Sequence, residues 1–453
     1  MKTQSPLLAL IFGLLVLSHE SAAQTILDGY LQEGLKNNLQ LKQETLQYDR
    51  SVEGLQAARA LFMPQVGVNA NYTLADGGRS IQFPVGDLLN PVYATLNQLT
   101  DSQQFPQIAN VNEQFLPNNF HDTKLRVIQP LFNPDIYFNY KAQKELITVQ
   151  KAQRDAYENE LKFNITNAYY QYLQSEEVLK VLQQTEVLLQ ELVRVNQKLV
   201  QHQKATRDVL LSAEYELNKV EQQQAEAVKN RENARAYFNF LLNRDLQAEV
   251  LTDSLLLGQL QNRYDLNSLK ADALASRQEL RQAQSGLLAS HHMVELNKSS
   301  ALLPKLNVVG DVGYQGFEYK FNNDQQYWLV QFSLSWDLFK GGERRARTQQ
   351  ARIDYLMAEN KMEQLRKQIE WQVIQAFHEY EAAVQAYVTA QSGVKSAEKN
   401  FQIVRARYQE GQALQLEYLD AQNQFTTSQL MKSLRQFDLL RAEAQLQKMT
   451  AQL

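Results

Sequence analysis

The 453-residue sequence contains no cysteine, which excludes disulfides, thiolate metal sites and a lipidated N-terminal cysteine. Proline and glycine are scarce, at 9 and 17. Proline blocks helix interiors and glycine weakens them, so a chain with few of either favours long helices. Beyond the first residues no apolar run reaches the roughly 18 residues that a membrane-spanning helix needs, and the mean hydropathy is −0.45. Charge of one sign is also lacking. The net charge is −4, and no cluster of Lys and Arg marks a nucleic-acid footprint, so no nucleic acid is expected as a partner. The apolar fraction of 44% nevertheless permits a large buried core.

Chemistry-bearing clusters are equally thin. His291 and His292 are adjacent on a predicted helix, about 100° apart, and make a poor metal pair. His378-Glu379 lacks the second histidine of a zinc-protease motif. Gly341–Arg344 (GGER) marks a strand-to-helix turn rather than a phosphate loop. The expectation is therefore no enzyme, no catalytic residues, no metal and no cofactor.

What is there begins with an export signal. Lys2 precedes the apolar core Leu7–Leu17, and Ser21 and Ala23 are the small residues before a cleavage expected after Ala23. The core is too short to span a bilayer as a helix. Seven of the nine prolines then lie between Pro64 and Pro134. Asp135 to Leu257 contains neither glycine nor proline, and from Glu343 onward only Gly393 and Gly411 occur.

Within the breaker-free stretches Leu161, Ile165, Ala168, Tyr172, Leu179 and Leu182 fall on one helical stripe, with heptad-like spacing that predicts coiled-coil packing. The stripe recurs in Ile369, Val373, Ala376, Tyr380, Tyr387 and Ala390. Around it, Leu61–Val68 matches Leu302–Val309, Gln129–Asn133 matches Trp336–Lys340, and Val209–Glu214 matches Glu417–Gln422. Matches in one order along both halves read as an internal duplication. The expected organisation is a signal peptide over 1–23, a first repeat over 24–257 and a second over 258–453. Each repeat has a helix (Ile26–Met63, Asn267–Leu303), two strands, a long helix (Asp135–Val200, Glu343–Tyr408) and a returning helix. At 1.5 Å per residue a long helix of that kind extends about 100 Å.

Four segments alternate apolar and polar residues: Gln65–Leu74, Lys124–Phe132, Lys305–Tyr314 and Tyr327–Phe339. On an exported chain this is the pattern of outer-membrane barrel strands; taken singly, each also suits a half-buried strand in a soluble sheet. Four strands cannot close a barrel, and open edges are not tolerated in lipid, so a membrane barrel would have to be shared between chains. Residues 76–119 form a long loop between the first two strands, read as extracellular; a disordered insertion is the other reading.

With these features the chain resembles the TolC-like outer-membrane efflux proteins. The resemblance covers the mature chain. It rests on the duplication, the signal, the strand starts at Pro64 and Pro304, and the closing motif Tyr408, Gly411, Glu417, Leu419, Asp420 and Ala421. It implies a mainly α fold with membrane β: a long coiled-coil α-helical barrel in the periplasm plus a transmembrane β-barrel of twelve strands, four from each chain of a homotrimer. The implied partners are a periplasmic adaptor (membrane fusion) protein, an inner-membrane pump and outer-membrane lipid. The implied function is the outer-membrane duct of a tripartite efflux or type I secretion system in a Gram-negative bacterium. A periplasmic coiled-coil scaffold that never enters the membrane is the alternative.

The resemblance also assigns site residues. A periplasmic gate falls on Tyr408, Glu417 and Asp420, with Asp208 as a further acid; acids stabilising a helix N-terminus are the plainer reading. The helix-tip turns and adaptor contacts fall on Gly411 and Gln412 in the second half, and on Gln203 and Lys204 in the first, where Gln203 stands in the glycine's place. The basic residue that the family often has just after the glycine is missing, since Gln412 and Ala413 stand there; Arg207 and Lys204 are the candidates to substitute.

Overall fold

A computed structural model describes residues 26–252 and 263–452. The export signal and its cleavage position lie outside these residues. In order, the elements are α1 (Ile26–Asn37), α2 (Leu39–Ala60), β1 (Gln65–Thr73), β2 (Ser80–Phe83), α3 (Val85–Thr100), β3 (Val111–Gln114) and β4 (Phe120–Phe132). Next come α4 (Pro134–Gln201), α5 (Arg207–Leu241), α6 (Leu266–Ser276) and α7 (Gln278–Leu302). The chain ends in β5 (Lys305–Phe317), β6 (Gln326–Ser335), α8 (Glu343–Gln409) and α9 (Gln415–Met449). Among the described residues no helix is long and apolar enough to cross a membrane.

The chain divides into two compact units. One is helical and takes the chain up to Val52, Glu145–Leu288 and the part from Leu356 onward. The long helices begin and end where the sequence predicts, because nothing inside them breaks the pattern. Their stripes are the core: Leu161, Ile165 and Ala168 are buried with Tyr30, Phe238 and Phe437, while Ile369, Val373 and Ala376 are buried with Leu269, Ala273 and Leu446. Burying each large apolar side chain contributes about 1.5–3 kcal/mol. Tyr387 and Ala390, at the weaker end of the second stripe, are only half-buried.

Two helices expected to be continuous are each broken in two. Asn38 interrupts the first: its Oδ1 accepts the Leu41 N–H at 3.0 Å, capping α2, and its Nδ2 donates to the Leu241 carbonyl at 3.1 Å. Arg277 interrupts the second in an extended conformation (φ −62°, ψ 124°), with its guanidinium on Glu279 at 2.6 and 3.0 Å. At Asn38 the side chain takes over a backbone hydrogen bond of the helical ladder, whereas at Arg277 an ion pair between side chains holds the break.

The second unit, Glu53–Lys144 and Ala289–Tyr355, holds one antiparallel sheet in the order β1-β4-β5-β6. β4 starts earlier than the alternation suggests because it pairs with β5 as far out as Phe120 with Phe317. β6 stops earlier, since Ser335 lies opposite Lys305, the first residue of β5, and Trp336–Phe339 has no partner strand. A register shift at Pro130, which has no N–H to donate, ends the regular β4–β5 ladder. The two faces separate as the sequence predicts: Val66, Val68, Leu125, Val312, Trp328, Val330, Phe332 and Leu334 share one face and are exposed.

Residues 76–119 are folded rather than a disordered insertion. β2 and β3 pair antiparallel and α3 lies between them in sequence. α3 is held by its amide side chains: Asn90 exchanges hydrogen bonds with the Ile108 backbone at 2.8 and 2.9 Å, and Asn97 with the Phe105 backbone at 2.7 and 3.1 Å.

Candidate functional site

The ends of the two helical hairpins carry every residue assigned above to the gate and tip. In the second hairpin α8 ends at Gln409 and α9 begins at Gln415. Gly411 takes the left-handed conformation (φ 74°), with the Gly411 N–H on the Tyr408 carbonyl (3.0 Å) and the Gln412 N–H on the Arg407 carbonyl (2.8 Å). This is a Schellman closure. The first hairpin repeats it without glycine. Gln203 is left-handed (φ 56°), the Gln203 N–H meets the Val200 carbonyl (3.0 Å), and the Lys204 N–H meets the Leu199 carbonyl (2.8 Å). Gln203 does in one turn what Gly411 does in the other. Gln203, Lys204, Gly411 and Gln412 are all exposed.

Just behind the turns, four helices are tied by one polar network. The Tyr408 hydroxyl donates to Asn196 Oδ1 at 3.0 Å, joining α8 to α4. Asn196 Nδ2 donates to Gln415 Oε1 (3.2 Å) and faces the Val209 carbonyl (3.4 Å); Gln415 Nε2 reaches the same carbonyl at 2.8 Å. Thus α9 and α5 join the pair. Asn196 is fully buried. Tyr408 packs on Tyr418, ring centroids 5.1 Å apart, beside the cluster of Leu189, Leu192, Phe401 and Val404. Burial pushes both tyrosine hydroxyls above their usual pKa. Tyr408 is therefore a neutral hydrogen-bond donor inside the chain.

The acids are on the surface. Glu417 Oε1 accepts the Leu414 N–H at 3.3 Å, which caps α9, while Glu417 Oε2 lies 3.5 Å from the Arg407 guanidinium. Arg407 also donates to the Gln412 carbonyl at 3.1 Å. Arg407, which the motif reading passed over, is thus the basic residue that closes this turn; its place before Tyr408 hid it. Arg207 and Lys204 make no ion pair among the described residues. Asp420 is exposed and accepts from Gln424 at 2.8 Å. Asp208, also exposed, sits in the first turn of α5 and has no ion pair among the described residues. The geometry joins Tyr408, Gly411, Gln412 and Glu417 in one hairpin, and leaves Asp208 and Asp420 pointing to solvent.

A second polar assembly lies on the sheet face opposite the apolar one. Arg126 grips Asp311 through two hydrogen bonds of 2.7 and 2.8 Å, and the Tyr327 hydroxyl donates to Asp122 at 2.9 Å. Lys124 is ion-paired with Asp122. These contacts cross β4, β5 and β6, so the sheet has one charged, internally paired face and one uncharged face. Among the described residues no group of His, Cys, Asp or Glu is arranged to hold a metal.

A four-stranded sheet with one uncharged exposed face, in a chain otherwise made of long helical hairpins, is the arrangement of a channel protein that crosses a membrane through its strands. A family described as "Outer membrane efflux protein" matches residues 269–452. TolC of Salmonella enteritidis is 24% identical over 438 residues, covering 92% of this chain and 80% of that protein. The alkaline protease secretion protein AprF of Pseudomonas aeruginosa is 22% identical over 361 residues, covering 77% and 68%. The open-state MtrE outer-membrane channel of Neisseria gonorrhoeae has the same fold, with a TM-score of 0.76 at 18% identity over 94% of this chain and 88% of that one. Over most of its length the chain is similar to the TolC-like outer-membrane efflux proteins. It is an outer-membrane channel protein for efflux or type I secretion, with its helical part in the periplasm, and not an enzyme. The scaffold alternative falls with that assignment.

Proposed function

We propose that three copies of this chain form one duct. β1 and β6 each leave an edge of the sheet unpaired, and unpaired backbone groups in lipid cost several kcal/mol each. Pairing each edge with a neighbouring copy closes a twelve-stranded barrel with the Val68–Trp328 face toward outer-membrane lipid and the Arg126–Asp311 face toward the lumen. The open-edged sheet with its exposed apolar face carries this reading. The two halves, 24–257 and 258–453, act as tandem repeats, each supplying two strands and a helical hairpin. The segment 76–119 lies outside the cell.

The hairpin tips form the periplasmic gate. Glu417 and Asp420, with Asp208, set rings of carboxylates around the opening and favour cations over anions; Tyr408 holds the hairpins together. The exposed turns at Gln203–Lys204 and Gly411–Gln412 meet a periplasmic adaptor, which links the duct to an inner-membrane pump. The mass of the full-length chain, extracted from the outer-membrane fraction and corrected for bound detergent, tests the assembly. A particle near three chains supports it; a periplasmic monomer or dimer overturns it.

A further inference from the structure

Where β6 runs out, its apolar row does not. Trp336 and Leu338 continue the series Trp328, Val330, Phe332 and Leu334, and they are exposed along with Phe339. Gly341 and Gly342, both left-handed (φ 54° and 85°), then turn the chain into α8. Beneath this turn is a groove of about 470 Å³ between the end of α7 and the start of α8. Its apolar walls are Leu302, Leu338 and Phe339, and its polar rim is Lys298, Lys340, Arg344 and Arg345.

The rim carries more positive charge than its neighbours neutralise. Asp337 serves both Lys340 (2.9 Å) and Arg344 (3.1 Å), and Glu295 meets Lys298 at 3.7 Å. Arg345 has no hydrogen bond or ion pair among the described residues. Four cations thus face two carboxylates. Arg344 is fixed by a hydrogen bond to the Ala301 carbonyl at 3.1 Å, so part of the rim is held in place.

We infer that this groove binds an anionic phospholipid of the inner leaflet, its phosphate on Lys298, Lys340 and Arg345 and its acyl chains along Leu338, Leu334 and Phe332. The inference rests on the outer-membrane reading above. Two features select lipid over a water-soluble anion. The apolar walls are continuous with the exposed strand face, and a basic cluster at the end of a membrane segment attracts anionic headgroups. A soluble phosphate would leave Leu338 and Phe339, 76% and 87% exposed, uncovered.

Trp336, two residues before the groove-lining Leu338 and in the same apolar row, provides the probe. The full-length chain carrying Trp328→Phe and Trp371→Phe keeps it as the single tryptophan. The protein is reconstituted in phosphatidylcholine bilayers containing brominated phosphatidylglycerol or brominated phosphatidylcholine at equal mole fraction. Preferential quenching by phosphatidylglycerol is expected, with a preference of about fivefold for each engaged cation. Lys298→Gln, Lys340→Gln and Arg345→Gln together should abolish the preference and leave quenching by phosphatidylcholine intact. Equal quenching by the two lipids in the parent overturns the site and leaves the channel standing. Equal quenching by the two lipids, together with binding of inorganic phosphate by the detergent-solubilised protein, assigns the rim to a free anion and overturns the lipid. Quenching by neither lipid means that the strands are not in the bilayer, and overturns both readings.

Discussion

The Tyr408 hydroxyl lies 3.0 Å from Asn196 Oδ1, and this one bond joins the two long helices just behind the hairpin turns. Asn196 is fully buried and also binds Gln415, so the two partners are not equivalent. Tyr408→Phe leaves the buried Asn196 Oδ1 without its donor, because both other contacts are made by Nδ2, and should cost about 1–3 kcal/mol. Asn196→Ala leaves two groups without partners, the Tyr408 hydroxyl and Gln415 Oε1, and should cost more, about 1–3 kcal/mol for each. Thermal unfolding followed by helical circular dichroism gives the order. Equal losses would mean that the network is not centred on Asn196.

The twin turns make a prediction with opposite signs. A non-glycine residue in the left-handed region carries about 1–2 kcal/mol of strain, and Gln203 bears it while Gly411 does not. Gln203→Gly should raise stability by up to about 1 kcal/mol, since the added freedom of the unfolded chain offsets part of the relief. Gly411→Ala should lower it by about 1–2 kcal/mol. Amide hydrogen exchange at the two tips reports each change locally. Protection that falls in Gln203→Gly would count against a strained turn.

For the acids, the expected readout is ion selectivity. Glu417 is ion-paired with Arg407 at 3.5 Å, and Asp420 has no cation on it among the described residues. Glu417→Gln with Asp420→Asn should lower the cation-over-anion permeability ratio, read as the reversal potential across a bilayer in a salt gradient. Arg407→Gln should raise it, by freeing Glu417. Unchanged reversal potentials in both variants would remove these carboxylates from the conduction path while leaving the channel assignment untouched.

Alkaline pH probes the helical core. Burial pushes the Tyr170 and Tyr172 hydroxyls up to about 12, and for Tyr172 the hydrogen bond to Glu176 adds to the effect. A phenol whose pKa is raised in the folded state contributes stability in full below the unfolded value of about 10. That contribution is lost as pH rises through about 12. Unfolding free energy should therefore fall between these limits, and fall less steeply in Tyr170→Phe with Tyr172→Phe. A fall of the same slope in the double variant would place the alkaline weakness elsewhere.

The sequence exposed the long helices and the two-faced strands because each depends on a repeated local rule: absence of breakers for one, alternation for the other. The breaks at Asn38 and Arg277 were hidden because neither is glycine or proline. Asn38 stops a helix only through Leu41, Leu241 and the fold that brings them near. Gln203 was placed opposite Gly411 by alignment, but its left-handed backbone is a property of the turn. Arg407 closes its turn through space, from a position that the motif spacing does not mark. The extra length of β4 depends on β5, far away in sequence, to supply Phe317 opposite Phe120.

Asn90 and Asn97 supply the last prediction, because they do work that the composition of the 76–119 segment concealed. They are two helical turns apart on one face of α3, and each exchanges a donor and an acceptor with one backbone residue, Ile108 and Phe105 respectively. The opposite face carries Leu88, Val92 and Leu99, all exposed. The helix is thus held by amides rather than by its leucines, the reverse of an ordinary amphipathic arrangement. Asn90→Leu or Asn97→Leu leaves two backbone groups without partners, at about 1–3 kcal/mol each. Either change should release the segment and open it to chymotrypsin at Tyr93, whose ring packs 5.8 Å from that of Phe105. Leu88→Ala and Leu99→Ala should leave the cleavage rate as in the parent. If the leucine variants are cut as fast as the asparagine variants, the apolar face is what holds α3 down.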